Sequence, residues 1–318
     1  MLDQCAVGSA ARGRYDAAIA RLKIFCTFFG FVLTLFDSDS LDEILVSYLQ
    51  FLYDESLPMC WGADTLSALQ DLMPKLRKEL PHAWRCYSAW QRLEPPQRAK
   101  PLMLVILQYW LVFLLNLISD VNSFVVLSLV MHMCLVFHLF RPAEVRGLTW
   151  ADVKFSTVFT HGRWHKIASI AIDHSKTSIR KNMVEYVQID DAFTVLILEL
   201  LYEMSSSDSD PLWPFSLSTF HTFLKELQKS TGMSGYVPYS FKRGGATCHF
   251  LRYHAFDLLV QAGRWASVKS ARVYIEDALA AQARLRTPQI ALDPQHRAFL
   301  RRFVHKYGRG GSSLILET

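Results

Sequence analysis

Two apolar runs stand almost back to back in this chain, Leu102–Ile118 and Phe124–Phe140, each 17 residues long. They narrow the possible folds more than any other feature. Seventeen residues is the lower edge of a membrane-spanning helix. The alternative is a pair of helices that are apolar all round because a large core surrounds them. The first run contains Gln108 and Asn116, and the second contains Ser128, His132 and His138. The link between them, Ser119–Ser123, is too short to carry a domain, so a membrane solution would be a tight hairpin with Arg141 at its edge. A long basic segment would then follow directly. Two core helices fit these facts better, and the sequence predicts no membrane partner.

A chain of 318 residues, 51% apolar and 13% aromatic, has material for a smaller and a larger packed domain. Its charge is unevenly distributed. Residues 1–140 carry 11 Lys/Arg against 13 Asp/Glu, whereas residues 141–318 carry 23 against 16. Within 225–309 the count is 15 against 5. A basic half beside a near-neutral half suits a polyanion binder, because phosphate contacts supply most nucleic-acid affinity. The six cysteines (Cys5, Cys26, Cys60, Cys86, Cys134 and Cys248) form no C-x-x-C pair, which argues against a zinc site or a disulfide scaffold and for thiols of a reducing compartment. The opening Met1-Leu-Asp-Gln-Cys5 lacks the basic start and apolar core of a signal peptide, so an intracellular protein is expected.

Periodicity divides the chain further. Ser40-Leu-Asp-Glu43 reads as a capping box opening an amphipathic helix with Leu41, Ile44, Leu45, Tyr48, Leu49 and Leu52 on one face. Leu66, Leu69, Leu72, Met73 and Leu76 mark another helix, and Ile19–Phe31 a third, so the first 92 residues predict a bundle of four or five helices. Glu94-Pro-Pro-Gln-Arg-Ala-Lys-Pro101 is a linker, since its prolines deny helix continuation. Beyond Asp152 the period switches to two. Val153–Phe159, Trp164–Asp173 and Val184–Ile189 predict a three-stranded antiparallel sheet, with Lys176 in the hairpin between the last two. Helices are then expected at 191–204, 217–231, 240–253, 255–262, 267–281 and 294–307. The fold class is mainly α with a small antiparallel β-sheet (α+β).

The chemistry-bearing residues lie in short segments. In Phe140-Arg141-Pro142-Ala-Glu144, the proline suits the first turn of a helix and the glutamate its positive end. Arg141 then falls at a cap position that normally takes Ser, Thr, Asp or Asn, and it calls for either Glu144 or an anion as partner. Leu148-Thr-Trp150-Ala-Asp152 follows. Further on come Pro238-Tyr239-Ser-Phe-Lys242-Arg243-Gly-Gly-Ala-Thr247 and Gly263-Arg264-Trp265, with Tyr274 nine residues after Trp265. There is no phosphate-binding P-loop, no dinucleotide fingerprint and no H-E-x-x-H. His161 and His165 flank strand-like sequence and read as surface residues, and Asp190-Asp191 reads as a helix cap rather than a metal site.

Together these segments resemble the active-site boxes of the tyrosine recombinases, the phage-integrase type of DNA strand-transfer enzyme. The resemblance implies a helical core-binding (SAM-like) DNA-binding domain at 1–95 and a catalytic domain at 97–290, and the residues themselves put a basic C-terminal helix and tail at 291–318. It implies a C-shaped clamp on double-stranded DNA, self-association as a tetramer, and a 3′-phosphotyrosyl intermediate formed with no cofactor and no metal. The location would be wherever the DNA is, the nucleus or a prokaryotic cytoplasm. Tyr274 would be the nucleophile, Arg141 and Lys242, aided by Arg243, the phosphate-binding cations, Lys176 the general acid, and Trp265 a phosphate donor. The second box departs from the usual His-x-x-Arg-x-Gly. In one register Tyr239 replaces the histidine and Lys242 the arginine; in a shifted register Ser240 pairs with Arg243. The first is preferred, because relatives often carry an extra arginine before the double glycine. Lysine is a point charge where arginine is a bidentate fork. A degenerate relative that binds DNA without cutting it is therefore the alternative to an active enzyme.

Overall fold

The structure is a computed structural model that describes residues 8–34, 37–94, 99–119, 123–160, 162–173, 184–275 and 288–308. The chain divides into two compact units, Met1–Arg98 and Ala99–Thr318.

The first unit is helical: α1 (Ser9–Phe29), α2 (Ser38–Asp54), α3 (Met59–Leu72), a 3-10 turn at Pro74–Lys78, and α4 (Pro81–Leu93). Its core is the predicted leucine face of α2 packed against Leu22, Leu66, Leu69, Leu76 and Trp90. The cap of α2 differs from the predicted one. Asp37 caps the helix, accepting from the Ser40 amide at 3.2 Å and the Ser40 hydroxyl at 2.6 Å. Ser40 is therefore a first-turn residue, because a carboxylate three positions upstream outcompetes its hydroxyl for the free amides. Asp42, on the buried side of α2, accepts from the amides of His82 and Ala83 at 2.8 and 2.7 Å. Those are first-turn donors of α4 that the helix itself cannot satisfy.

The second unit is built around the two apolar runs, α5 (Leu104–Leu115) and α6 (Ser123–Phe137). Every residue of α6 from Val126 to Phe137 is buried. No helix among the described residues is long and apolar enough to cross a membrane. Of the polar residues in the runs, Gln108, Ser128 and His132 are buried, His138 is half-buried and Asn116 is exposed. His132 lies between the rings of Trp213 and Phe220, at 4.5 and 4.3 Å, and burial, aided by the charge of Arg146, pushes its pKa down to about 3. It is a neutral packing residue. After α7 (Pro142–Gly147) come β1 (Val153–Thr160), β2 (Arg163–Ile172) and β3 (Glu185–Ile189), an antiparallel sheet in the order β1-β2-β3. The register pairs Val153 with Ile170 and Ala168 with Ile189, and alternate residues of β2 (Ala168, Ile170, Ile172) face the core.

The remaining α-helices among the described residues are α8 (Ala192–Glu203), α9 (Leu217–Ser230), α10 (Pro238–Tyr253), α11 (Phe256–Gly263), α12 (Val268–Arg272) and α13 (Gln295–Tyr307). Asp191 caps α8 through the Thr194 amide at 2.8 Å. The helix predicted at 267–281 is helical only to Arg272 within the described residues and turns through Tyr274. Two glycines let α10 reach the core. A Cβ on Gly244 would stand 1.9 Å from the carbonyl oxygen of Leu102, and one on Gly245 would stand 1.8 Å from that of Phe137. Only a bare backbone permits this approach, which sets Lys242 beneath the turn that carries Arg141.

Candidate active site

The site starts at the end of α6. Leu139 takes the left-handed conformation (φ 72°), its amide bonds Val136 O at 3.1 Å, and the Phe140 amide bonds Leu135 O at 3.1 Å. This is a Schellman turn with leucine where glycine is usual. The left-handed conformation costs a non-glycine residue roughly 1–2 kcal/mol. The turn delivers Arg141 to the cap of α7 and aims the Leu139 carbonyl inward. Glu144 reaches back, accepting the Arg141 amide at 2.7 Å, and pairs with the Arg141 guanidinium. Burial works against charge on Glu144, but Arg264, Arg141 and Lys242 together hold its carboxyl below the usual range. Of the two partners the sequence left open for Arg141, the carboxylate is present, and about a quarter of the Arg141 side chain still faces solvent.

Lys242, on α10, is fully buried. Its Nζ donates to Leu139 O at 2.6 Å and lies 5.3 Å from the centre of the Trp265 ring. Burial pushes its pKa down to about 7; Glu144 opposes the shift, while Arg141 and Arg264 reinforce it. Arg243, the next residue of α10, is also buried.

Three aromatic rings complete the cluster. Tyr274 lies 4.8 Å from Trp265 and 6.2 Å from Tyr239, almost parallel to the latter at 26°. Burial, together with a hydrogen bond to Tyr274, pushes the Tyr239 phenol up to about 12. Both phenols interact with the charge of Arg141. Trp265 folds back over Gly263, where a Cβ would meet its ring at 1.9 Å. Its indole N–H is buried and has no acceptor among the described residues.

Arg141, Tyr239, Lys242, Trp265 and Tyr274 are thus brought together from α7, α10 and the α11–α12 segment; Arg243, the next residue of α10, is buried too. Lys176 lies outside the described residues, as does most of its hairpin. Sequence reasoning missed Arg264. It caps α11 in the left-handed conformation (φ 56°), with its amide on Gln261 O at 3.2 Å and the Trp265 amide on Val260 O at 3.0 Å, a second Schellman turn. Its guanidinium donates to Glu144 at 2.8 Å and to Leu139 O at 3.3 Å, and lies 3.6 Å from Glu185. The available signal was an arginine directly after Gly263, at a helix end where glycine is the default. No group of three or more His, Cys, Asp or Glu side chains suited to a metal is found among the described residues.

No family model matches the chain, and no curated protein matches it by sequence. Solved structures do match. The Tn1549 transposon integrase in complex with transposon right end DNA aligns at a TM-score of 0.58 with 11% identity, over 89% of this chain and 95% of that one. The XerH site-specific recombinase bound to palindromic difH substrate, a post-cleavage complex, aligns at 0.52 with 15% identity, over 76% of this chain and 68% of that one. This chain has the fold of those two proteins. At such identities the likeness concerns the fold alone.

Proposed function

We propose that this chain is a DNA-binding, tyrosine-type strand-transfer protein whose nucleophile is Tyr274. The observation that carries this reading is the meeting of Arg141, Tyr239, Lys242, Trp265 and Tyr274 at one site, on a fold shared with a transposon integrase and a site-specific recombinase. The Tyr274 hydroxyl gives its proton to solvent as its oxygen attacks a phosphodiester and forms a 3′-phosphotyrosine, and the bond to the 5′ oxygen breaks. Arg141 and Lys242 offset the charge that develops on the non-bridging oxygens, the role in which preorganised donors act most strongly. Trp265 donates its unpaired indole N–H to one of those oxygens and cannot act as a base. Lys176 hands the leaving 5′ oxygen its proton. Tyr239 stands in the place of the usual histidine and Lys242 in that of the arginine; the contact of Lys242 with both Leu139 and Trp265 supports this register. The first unit serves as the core-binding domain, the partner is double-stranded DNA, and self-association on that DNA completes the assembly.

One observation favours a second reading, that of a non-cutting DNA binder. The second-box cation is a lysine with no exposed surface, bonded to a carbonyl. The experiment that decides is incubation with a nicked suicide duplex made from the DNA flanking the gene. A covalent protein–DNA adduct is expected, and Tyr274→Phe should abolish it while DNA binding stays nearly intact. Binding without an adduct for the unmodified chain would establish the second reading, and a Tyr274→Phe adduct would displace Tyr274 as nucleophile.

A further inference from the structure

Arg264 occupies a position that its backbone recommends against. The two Schellman turns of the site both place a non-glycine residue in the left-handed conformation, and at Arg264 the side chain explains the choice. It is 7% exposed and bonds groups from separate elements: Glu144 on α7 and the Leu139 carbonyl before it, with Glu185 on β3 at the edge of reach. The Leu139 carbonyl is the same acceptor that Lys242 uses. Glu144 Oε2 takes both Arg264 and the Arg141 amide, which leaves Oε1 for the Arg141 guanidinium. The residue after Arg264 is Trp265, whose ring packs on Tyr274.

We infer that Arg264 is a positioning residue of the phosphate site. It clamps Glu144, which aims Arg141, and in the same contact it ties the Trp265–Tyr274 segment to the helix that carries Arg141. Lysine at 242 is a single-point donor and cannot span two acceptors in fixed geometry; a guanidinium can, and Arg264 supplies it. Without Arg264, Glu144 would still pair with Arg141, but the ion pair that joins Glu144 to the segment bearing the nucleophile would be lost. The inference rests on the strand-transfer reading above.

The test uses the full chain and the nicked duplex. Arg264→Gly relaxes the left-handed turn while removing the side chain, and Arg264→Lys keeps the charge without the fork. Single-turnover adduct formation should fall about 100-fold in Arg264→Gly, the scale expected when a reacting group is misplaced by about an ångström, with duplex affinity changed less than about threefold. Arg264→Lys should recover only part of the rate. The side chain lines a cavity of about 510 Å³, so methylguanidinium added to Arg264→Gly has a route to the vacated place and should restore rate without altering affinity. A purely structural role predicts instead that rate, affinity and unfolding midpoint fall together and that methylguanidinium does nothing; that pattern, or a wild-type rate in Arg264→Gly, overturns the inference alone. If Arg264→Gly does not fold, a wild-type rate in Arg264→Lys overturns it equally. Absence of any adduct from the unmodified chain brings down the strand-transfer reading and the inference with it.

Discussion

Replacing Lys242 by methionine should remove a pH dependence from the stability of the protein. The side chain has no exposed surface and sits among Arg141, Arg264 and Glu144, with a folded pKa of about 7. In the unfolded chain a lysine titrates near 10.4. Between those values the unfolded state holds a proton that the folded state has released, so stability rises with pH across the window and is lost as pH falls through about 7. At about 1.36 kcal/mol per pH unit, the wild-type protein should gain about 3 kcal/mol between pH 7 and pH 9.5 from this residue. Methionine matches the length and flexibility of the lysine stem and does not titrate. The Leu139 carbonyl would retain Arg264 as a donor. The assay is urea unfolding of wild type and Lys242→Met at pH 6, 7, 8 and 9.5. Wild-type stability minus that of Lys242→Met should rise by about 3 kcal/mol from pH 7 to pH 9.5 and level off below pH 6. Parallel pH profiles would refute the argument, because they would mean that Lys242 keeps its charge in the folded protein. The same titration has a functional face: a further cation appears at the site as pH falls through about 7, so duplex affinity should rise there in wild type and not in Lys242→Met.

Other outcomes follow from specific contacts. Gly245→Ala drives a Cβ to within 1.8 Å of the Phe137 carbonyl, a rigid neighbour, and should destabilise by at least 1–3 kcal/mol, whereas Gly147→Ala meets nothing within 4 Å and should be neutral or slightly stabilising; thermal unfolding compares them. Asp42→Ala leaves the His82 and Ala83 amides without their acceptor and should cost about 1–3 kcal/mol in the unfolding of the first unit, with Asp42→Asn recovering part of it. Duplex affinity should fall steeply with salt, about a thousandfold between 50 and 200 mM for some six phosphate contacts, as titrations at fixed pH would show; a flat response would exclude a phosphate-driven interface.

The sequence by itself determined the elements and their class. The alternation from Val153 to Ile189 could serve only strands with one face in the core, and the strands are found within a residue or so of where it puts them. The two apolar runs fitted a protein core better than a membrane hairpin, because a helix without a polar face has no side to offer water, and the structure packs both into the core of the second unit. Local chemistry was legible too, including Pro142 in the first turn of α7 and Asp191 as the cap of α8. Where two local caps competed, at Asp37 and Ser40, the ranking depended on geometry that spacing does not carry. The fully buried Lys242 was invisible, since burial is a property of what packs above a side chain, and here that is the Leu139 turn more than 100 residues upstream. Arg264 was hidden for the same reason. Its neighbours in sequence say only that a helix ends, while its partner is Glu144, 120 positions away. Only the tertiary structure decides such pairings: hydrogen bonds and charges act over a few ångströms of space, whatever the separation along the chain.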